Sequence, residues 1–163
     1  MSDKRTFVEV KSTGPSYPAW RGELLAELAL ARNPGLIVHK RPERSPSDPP
    51  YDFLVATEQG LCFFVEVRAF SSFHLQLTDV EAIPELRWSL DGELVRRARA
   101  SHSPVLLFLF DADTDHGRYL RVDTLPAPGV EVRQVTVRLP AQQTINKENL
   151  ERLIAELQGA PTA

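Results

Sequence analysis

Residues Val105–Phe110 read VLLFLF, six apolar side chains with no polar break. The run has strand length and lacks the alternation of a strand with one wet face. Such a strand is buried on both sides, so other elements must cover it above and below. Three helices are available for that cover. Pro18 to about Arg32 reads as the first, with Pro in its opening turn and Asn33-Pro34-Gly35 as its stop. Trp20, Leu24, Leu28 and Ala31 are expected on its apolar face, with Glu27 at the border and Glu23 farther round. Ser89–Ala100 reads as the second, with Ser89 as its cap and Pro104 barring continuation. Asn146 is placed to cap the third, whose Leu150, Leu153, Ile154 and Leu157 share a face before Gly159. That face suits either the core or a dimer contact.

The strands are equally marked. Leu36–Lys40, LIVHK, is short and apolar. YDFLVAT and LCFFVEVRAF flank Glu58-Gln59-Gly60 and predict a hairpin. RYLRV follows the turn DADTDHG, and VEVRQVTVRL alternates with period two. Arg41–Pro50 carries four prolines and is a loop. Residues 71–88 fit no single pattern. Helix, three strands, helix, three strands, helix gives an α/β fold with a central mixed sheet flanked by helices. The length fits one domain over residues 18–163. Residues 1–17 are expected to be an N-terminal arm or edge strand.

Charge and cysteine content narrow the function classes. A net charge of −3 argues against bulk adhesion to nucleic acid, though not against a local basic patch. The single cysteine, Cys62, permits no internal disulfide and is expected to be a buried, inert thiol. His39, His74, His102 and His116 share no ligand spacing and have no Ser or Cys partner in a nucleophile motif. Trp20 and Trp88 are expected in the core. MSDKRTF lacks a signal-peptide core, and no apolar run approaches the ~20 residues of a membrane span. No membrane association and a cytoplasmic location are expected.

The hairpin holds the chemistry candidate. Asp52 lies on its first strand and Glu66 on the second, 66 − 52 = 14 positions on. Antiparallel pairing across a tight turn can bring both carboxylates to one face, and Arg68 shares that face with Glu66. Two carboxylates with open water positions suit Mg2+ or Mn2+. The plain alternative is a salt-bridged, solvent-facing hairpin. Arg96, Arg97 and Arg99 form either a phosphate-contact patch or a basic helix end that complements its dipole. DADTDHG has its glycine one place late for a Ca2+ loop and Val122 at the twelfth position, so it reads as an Asp-rich turn.

PPYDFLVATEQGLCFFVEVR resembles the PD-(D/E)xK nuclease superfamily. Pro50-x-Asp52 is similar to its Pro-Asp, and Glu66-x-Arg68 to its Glu-x-Lys. RGELLAELAL looks like its first helix, whose acidic residue Glu27 or Glu23 would match. SPVLLFLFD and GRYLRVDTL further resemble small bacterial members of the DUF4365 and Holliday-resolvase type. The resemblance spans roughly residues 18–125. It implies a restriction-endonuclease-like core and metal-dependent hydrolysis of DNA phosphodiester bonds. Asp52 and Glu66 would bind Mg2+ or Mn2+, with the Val67 carbonyl as a further ligand and Glu27 as a third acid. Arg68 would hold the scissile phosphate or its water.

Arg68 stands where the family has lysine, and it cannot carry a proton near neutral pH. Lys40, also a candidate nucleic-acid contact, and Lys11 of the second FVEV copy are possible migrated replacements. The alternative is a catalytically inactive nuclease-fold module that binds nucleic acid or a protein partner. A homodimer is expected by analogy with nucleases that cut two strands. A role in phage defence with an effector protein belongs to the same set of expectations.

Overall fold

The computed structural model describes residues 6–12, 17–41 and 51–159. The rest of the expected N-terminal arm, the Pro-rich loop beyond Arg41 and the Pro50 of the nuclease-like signature lie outside the described residues. The elements run β1 (Val8–Glu9), α1 (Tyr17–Ala31), β2 (Leu36–Lys40), β3 (Phe53–Thr57), β4 (Cys62–Phe70) and β5 (Glu85–Asp91). Then come α2 (Gly92–Ala100), β6 (Val105–Asp111), β7 (Gly117–Arg121), β8 (Gln134–Pro140) and α3 (Lys147–Leu157).

A five-stranded sheet has the order β2-β3-β4-β6-β7. It is mixed: β4 and β6 run parallel, and the other pairs are antiparallel. β6 is buried along its whole length, as its unbroken apolar run requires. On one face, Val65, Val67, Leu106 and Phe108 pack with α1 and α3. On the other, Phe70, Val105, Leu107 and Leu109 pack with α2 and with a second sheet. That second sheet has the order β1-β5-β8 and was not foreseen in the sequence. β1 pairs parallel with β5, through Val8 and Leu86, and forms its edge. β8 pairs antiparallel with β5, Trp88 facing Val137.

Four expectations need correction. Ser89 caps no helix, because it belongs to β5, where Leu86, Trp88 and Leu90 alternate inward. The cap of α2 is Asp91, whose carboxylate accepts the Glu93 N–H at 2.7 Å. The buried face of α1 is Pro18, Gly22, Ala26 and Leu30, not Trp20, Leu24, Leu28 and Ala31. Small residues let the helix sit close to β4. A Cβ on Gly22 would come within 2.9 Å of the Ala69 Cβ. Trp20 is therefore on the surface, whereas Trp88 is in the core as expected. Cys62 is exposed, because it sits at the hairpin end of β4, opposite Ala56 and beyond the covering layer.

α3 agrees with its sequence. Asn146 accepts the Asn149 N–H at 2.8 Å, and Leu150 and Leu153 are buried. Its apolar face is thus core. Gly159 follows with φ of +72°, the left-handed conformation that glycine adopts without strain. Among the described residues, no helix is long and apolar enough to cross a membrane.

Candidate functional site

The β3–β4 hairpin closes at Gly60, with φ of +87°. The Thr57 hydroxyl oxygen accepts the Leu61 N–H at 3.2 Å. The ladder ends with Phe53 opposite Val65, so Asp52 stands one step further, next to Glu66. Along β4, Val65 and Val67 point to the α1 side. Glu66 and Arg68 therefore point to the opposite side, toward α2 and the second sheet.

Asp52 is fixed by backbone groups. Its N–H donates to the Val65 carbonyl at 3.0 Å, and its carbonyl accepts the Arg41 N–H at 2.9 Å. Its carboxylate Oδ2 accepts the Val67 N–H at 2.7 Å. The Glu66 side chain is 1% exposed and forms an ion pair with Arg68, which is 39% exposed. Arg68 Nη1 also donates to the Val67 carbonyl at 3.1 Å. One guanidinium therefore touches a buried carboxylate and the carbonyl next to it. Glu66 is not part of a solvent-facing hairpin; only the cation of the pair reaches water.

Tyr51 and Arg41 enlarge this group, and neither was singled out in the sequence. The Tyr51 ring packs on Phe64 with centroids 4.9 Å apart. Burial pushes the Tyr51 hydroxyl above its ordinary pKa, the Glu66 charge adds to the shift, and Arg97 opposes it. Tyr51 thus lies near enough to sense charge on both β4 and α2. The available signal was adjacency: Tyr51 precedes Asp52, and Arg41 faces Asp52 at the end of β2.

The other candidates lie elsewhere or are engaged within the chain. Glu27 is exposed on α1, across the sheet from Glu66. Glu23 pairs with Lys40 at 3.4 Å, also on the α1 side. Lys11 is exposed beside a cavity of about 450 Å³ against β5, lined by Glu9, Arg87 and Thr136. Arg96 binds Glu93 and the carbonyls of Gly129 and Val132. Arg97 binds Glu93, and Arg99 donates to the Asp123 carbonyl. The Asp-rich turn is engaged within the chain: Asp111 accepts from the Ser72 and Asp113 N–H groups and the Thr114 hydroxyl, and Asp113 from the Ser71 hydroxyl and the Phe73 N–H.

No family model and no curated protein matches the chain. Among solved structures it is similar to a Holliday junction resolvase from the archaeal hyperthermophile Archaeoglobus fulgidus. The TM-score is 0.44 at 18% identity, over 71% of this chain and 82% of that one. It is also similar to a bacterial homing endonuclease, with a TM-score of 0.46 at 16% identity, over 91% of this chain and 95% of that one.

The hairpin's donors bear on the metal that the resemblance implies. Asp52, Glu66 and the Val67 carbonyl are hard oxygen donors, the kind that hold Mg2+ or Mn2+. Two of the three already face a positive charge, the Arg68 guanidinium. The donor types fit a hard divalent cation, and the cation that two of them meet within the chain is Arg68. Among the described residues, no group of three or more His, Cys, Asp or Glu that could hold a metal ion converges.

Proposed function

We infer that the chain is a divalent-metal-dependent nuclease that hydrolyses DNA phosphodiester bonds at the Asp52 end of the β3–β4 hairpin. The observation that supports this reading is that Asp52, the buried Glu66 and Val67 are gathered at one end of the hairpin, with the Asp52 carboxylate on the Val67 N–H. Glu66, Asp52 and the Val67 carbonyl would hold Mg2+ or Mn2+. The metal would supply charge against the phosphate and a more acidic bound water.

The chain's own residues set up that chemistry. The Asp52 carboxylate accepts the Val67 N–H and so anchors the β4 backbone at the residue whose carbonyl would be a ligand. Burial keeps water from screening Glu66, so its charge acts strongly on whatever cation is present. Arg68 cannot take a proton, so its part is to bind the phosphate or offset charge on the leaving oxygen. Its side chain, partly exposed, would turn from Glu66 toward a substrate. Arg97, close enough to influence Tyr51, is placed on the same side of the sheet.

One observation favours a second reading. Arg68 already satisfies the two atoms that a metal would use, which suits an inactive module that binds nucleic acid or a protein partner. Cleavage of plasmid and short oligonucleotides separates the two. The assay runs in Mg2+, Mn2+ and EDTA, beside Asp52→Ala and Arg68→Lys. The nuclease reading expects metal-dependent cutting that Asp52→Ala abolishes. Cutting only by Arg68→Lys would establish the inactive module. Silence in every arm would overturn the catalytic reading.

A further inference from the structure

Tyr51 combines burial with an unused donor. It is 2% exposed and belongs to the apolar cluster between the main sheet, α2 and the second sheet, its ring against Phe64. A buried tyrosine ordinarily finds a hydrogen-bond partner for its hydroxyl. The Tyr51 hydroxyl bonds to none of the described residues, and it is not among the fully enclosed polar atoms. The ring is therefore anchored, and the hydroxyl reaches the surface with its donor unspent.

The surroundings say what that donor would meet. Phe64, Glu66 and Arg68 follow one another on one face of β4, about 6–7 Å apart. Tyr51, over Phe64, stands on one side of Glu66 and Arg68 on the other. The charges of Glu66, Arg97 and Asp123 all reach the hydroxyl. Glu66 is answered by Arg68, and Asp123 by Arg121 at 2.6 Å. Arg97 is held by Glu93 in a pair exposed at both ends, a weak hold for which an incoming anion can compete. A phenol keeps its proton at neutral pH, so it donates and needs an acceptor. An acceptor drawn by Arg97 is anionic. We propose that the Tyr51 hydroxyl donates to a phosphate oxygen of the substrate strand, with Arg97 supplying the charge, on the side of Glu66 away from Arg68. This rests on the nuclease reading for the identity of the substrate. It makes Tyr51 a substrate-binding residue outside the metal's donor set.

Fluorescence anisotropy of labelled duplex and single-stranded DNA oligonucleotides tests it, with the whole chain in EDTA so that nothing is cut. Tyr51→Phe should weaken binding about tenfold, the worth of one hydrogen bond to a charged group. Arg97→Met should weaken it too and lower the salt dependence by about one phosphate contact, whereas Tyr51→Phe should leave that slope unchanged. Two residues on one phosphate are coupled, so the double variant should lose less than the two single losses multiplied. The melting temperature of Tyr51→Phe should not fall, because the hydroxyl has no bond in the fold to lose. Binding by Tyr51→Phe equal to the natural protein, fully independent losses, or a clear drop in its melting temperature would each overturn the proposal. Cleavage in Mn2+, read in parallel, separates the two inferences. A natural chain that cuts, with Tyr51→Phe binding and cutting equally well, keeps the nuclease reading and overturns this one. The expected binding losses in a chain that never cuts do the reverse. A chain that binds no DNA overturns both.

Discussion

Two arginines are held inside this fold in different ways. Arg68 on β4 faces a buried carboxylate, yet its own side chain is 39% exposed. Arg118 on β7 is fully buried. It donates to the carbonyls of Leu139, Val80 and Ile83, and through Nε to His116. Its partners are dipoles drawn from the loop before β5, the end of β8 and its own strand. Arg118 therefore ties three segments together and has no route outward. Arg68 is held by an opposite charge and the Val67 carbonyl, and its side chain reaches water. A buried cation met by dipoles is a structural tie; a half-exposed one on a buried carboxylate is the feature on which the proposed site rests.

Removing the tie should cost most. Arg118→Met leaves three carbonyls without their donor, and we expect a loss of about 3–5 kcal/mol in urea unfolding. Arg68→Ala strips the cation from Glu66, but solvent reaches that end, so about 1–3 kcal/mol is expected. The contrast sharpens if Mn2+ then raises the melting temperature of Arg68→Ala more than that of the natural protein. It breaks if Arg118→Met is the milder change.

His116 gives a smaller effect with a definite sign. Because Arg118 Nε–H donates to its Nε2, that nitrogen is unprotonated and the proton sits on Nδ1, 3.5 Å from Glu81. Burial lowers the His116 pKa first and the Arg118 charge next; Glu81 and Asp111 act against them. The unfolded chain therefore takes up this proton at a higher pH than the folded one. Stability contributed here is present above the unfolded value, roughly 6.5, and declines as pH falls below it. The slope cannot exceed about 1.4 kcal/mol per pH unit for one proton. Unfolding midpoints from pH 7.5 down to 5 should fall less steeply in His116→Asn than in the natural protein. Lys40→Met completes the series: its pair with Glu23 is exposed at both ends, so about 0.5 kcal/mol or less should be lost.

The parts of the fold legible in the sequence are those whose local pattern and final environment agree. VLLFLF is uniformly apolar and uniformly buried. The hairpin has its turn residues between two β-rich runs, and α3 has its asparagine cap. Where tertiary packing chose among local options, the sequence misled. Ser89 is a good cap residue, but the pairing of Leu86, Trp88 and Leu90 with β8 took it into a strand. The large side chains of α1 looked like its core face, but close approach to β4 demanded Gly22 and Ala26. That Asp52, Glu66 and Arg68 share one face of the hairpin was readable from strand parity. The grip of Arg68 on the Val67 carbonyl was not, since it depends on a rotamer. Nor does GRYLRV distinguish Arg118, wholly buried, from Arg121, which pairs with Asp123 near the surface.

The second sheet has a consequence for the order of folding. Its strands come from residues 8–9, 85–91 and 134–140. The N-terminal strand has no sheet partner until β5 has been synthesised, and the layer is incomplete until β8 follows. The β3–β4 hairpin, by contrast, closes over a four-residue connection. Closing long chain segments carries the greater entropic cost, so contacts of this range form late. A nascent chain therefore passes through a stage with the hairpin made and Glu66 and Arg68 still on an open surface. The second sheet closes only when β1 and β8, far apart in the chain, both reach β5.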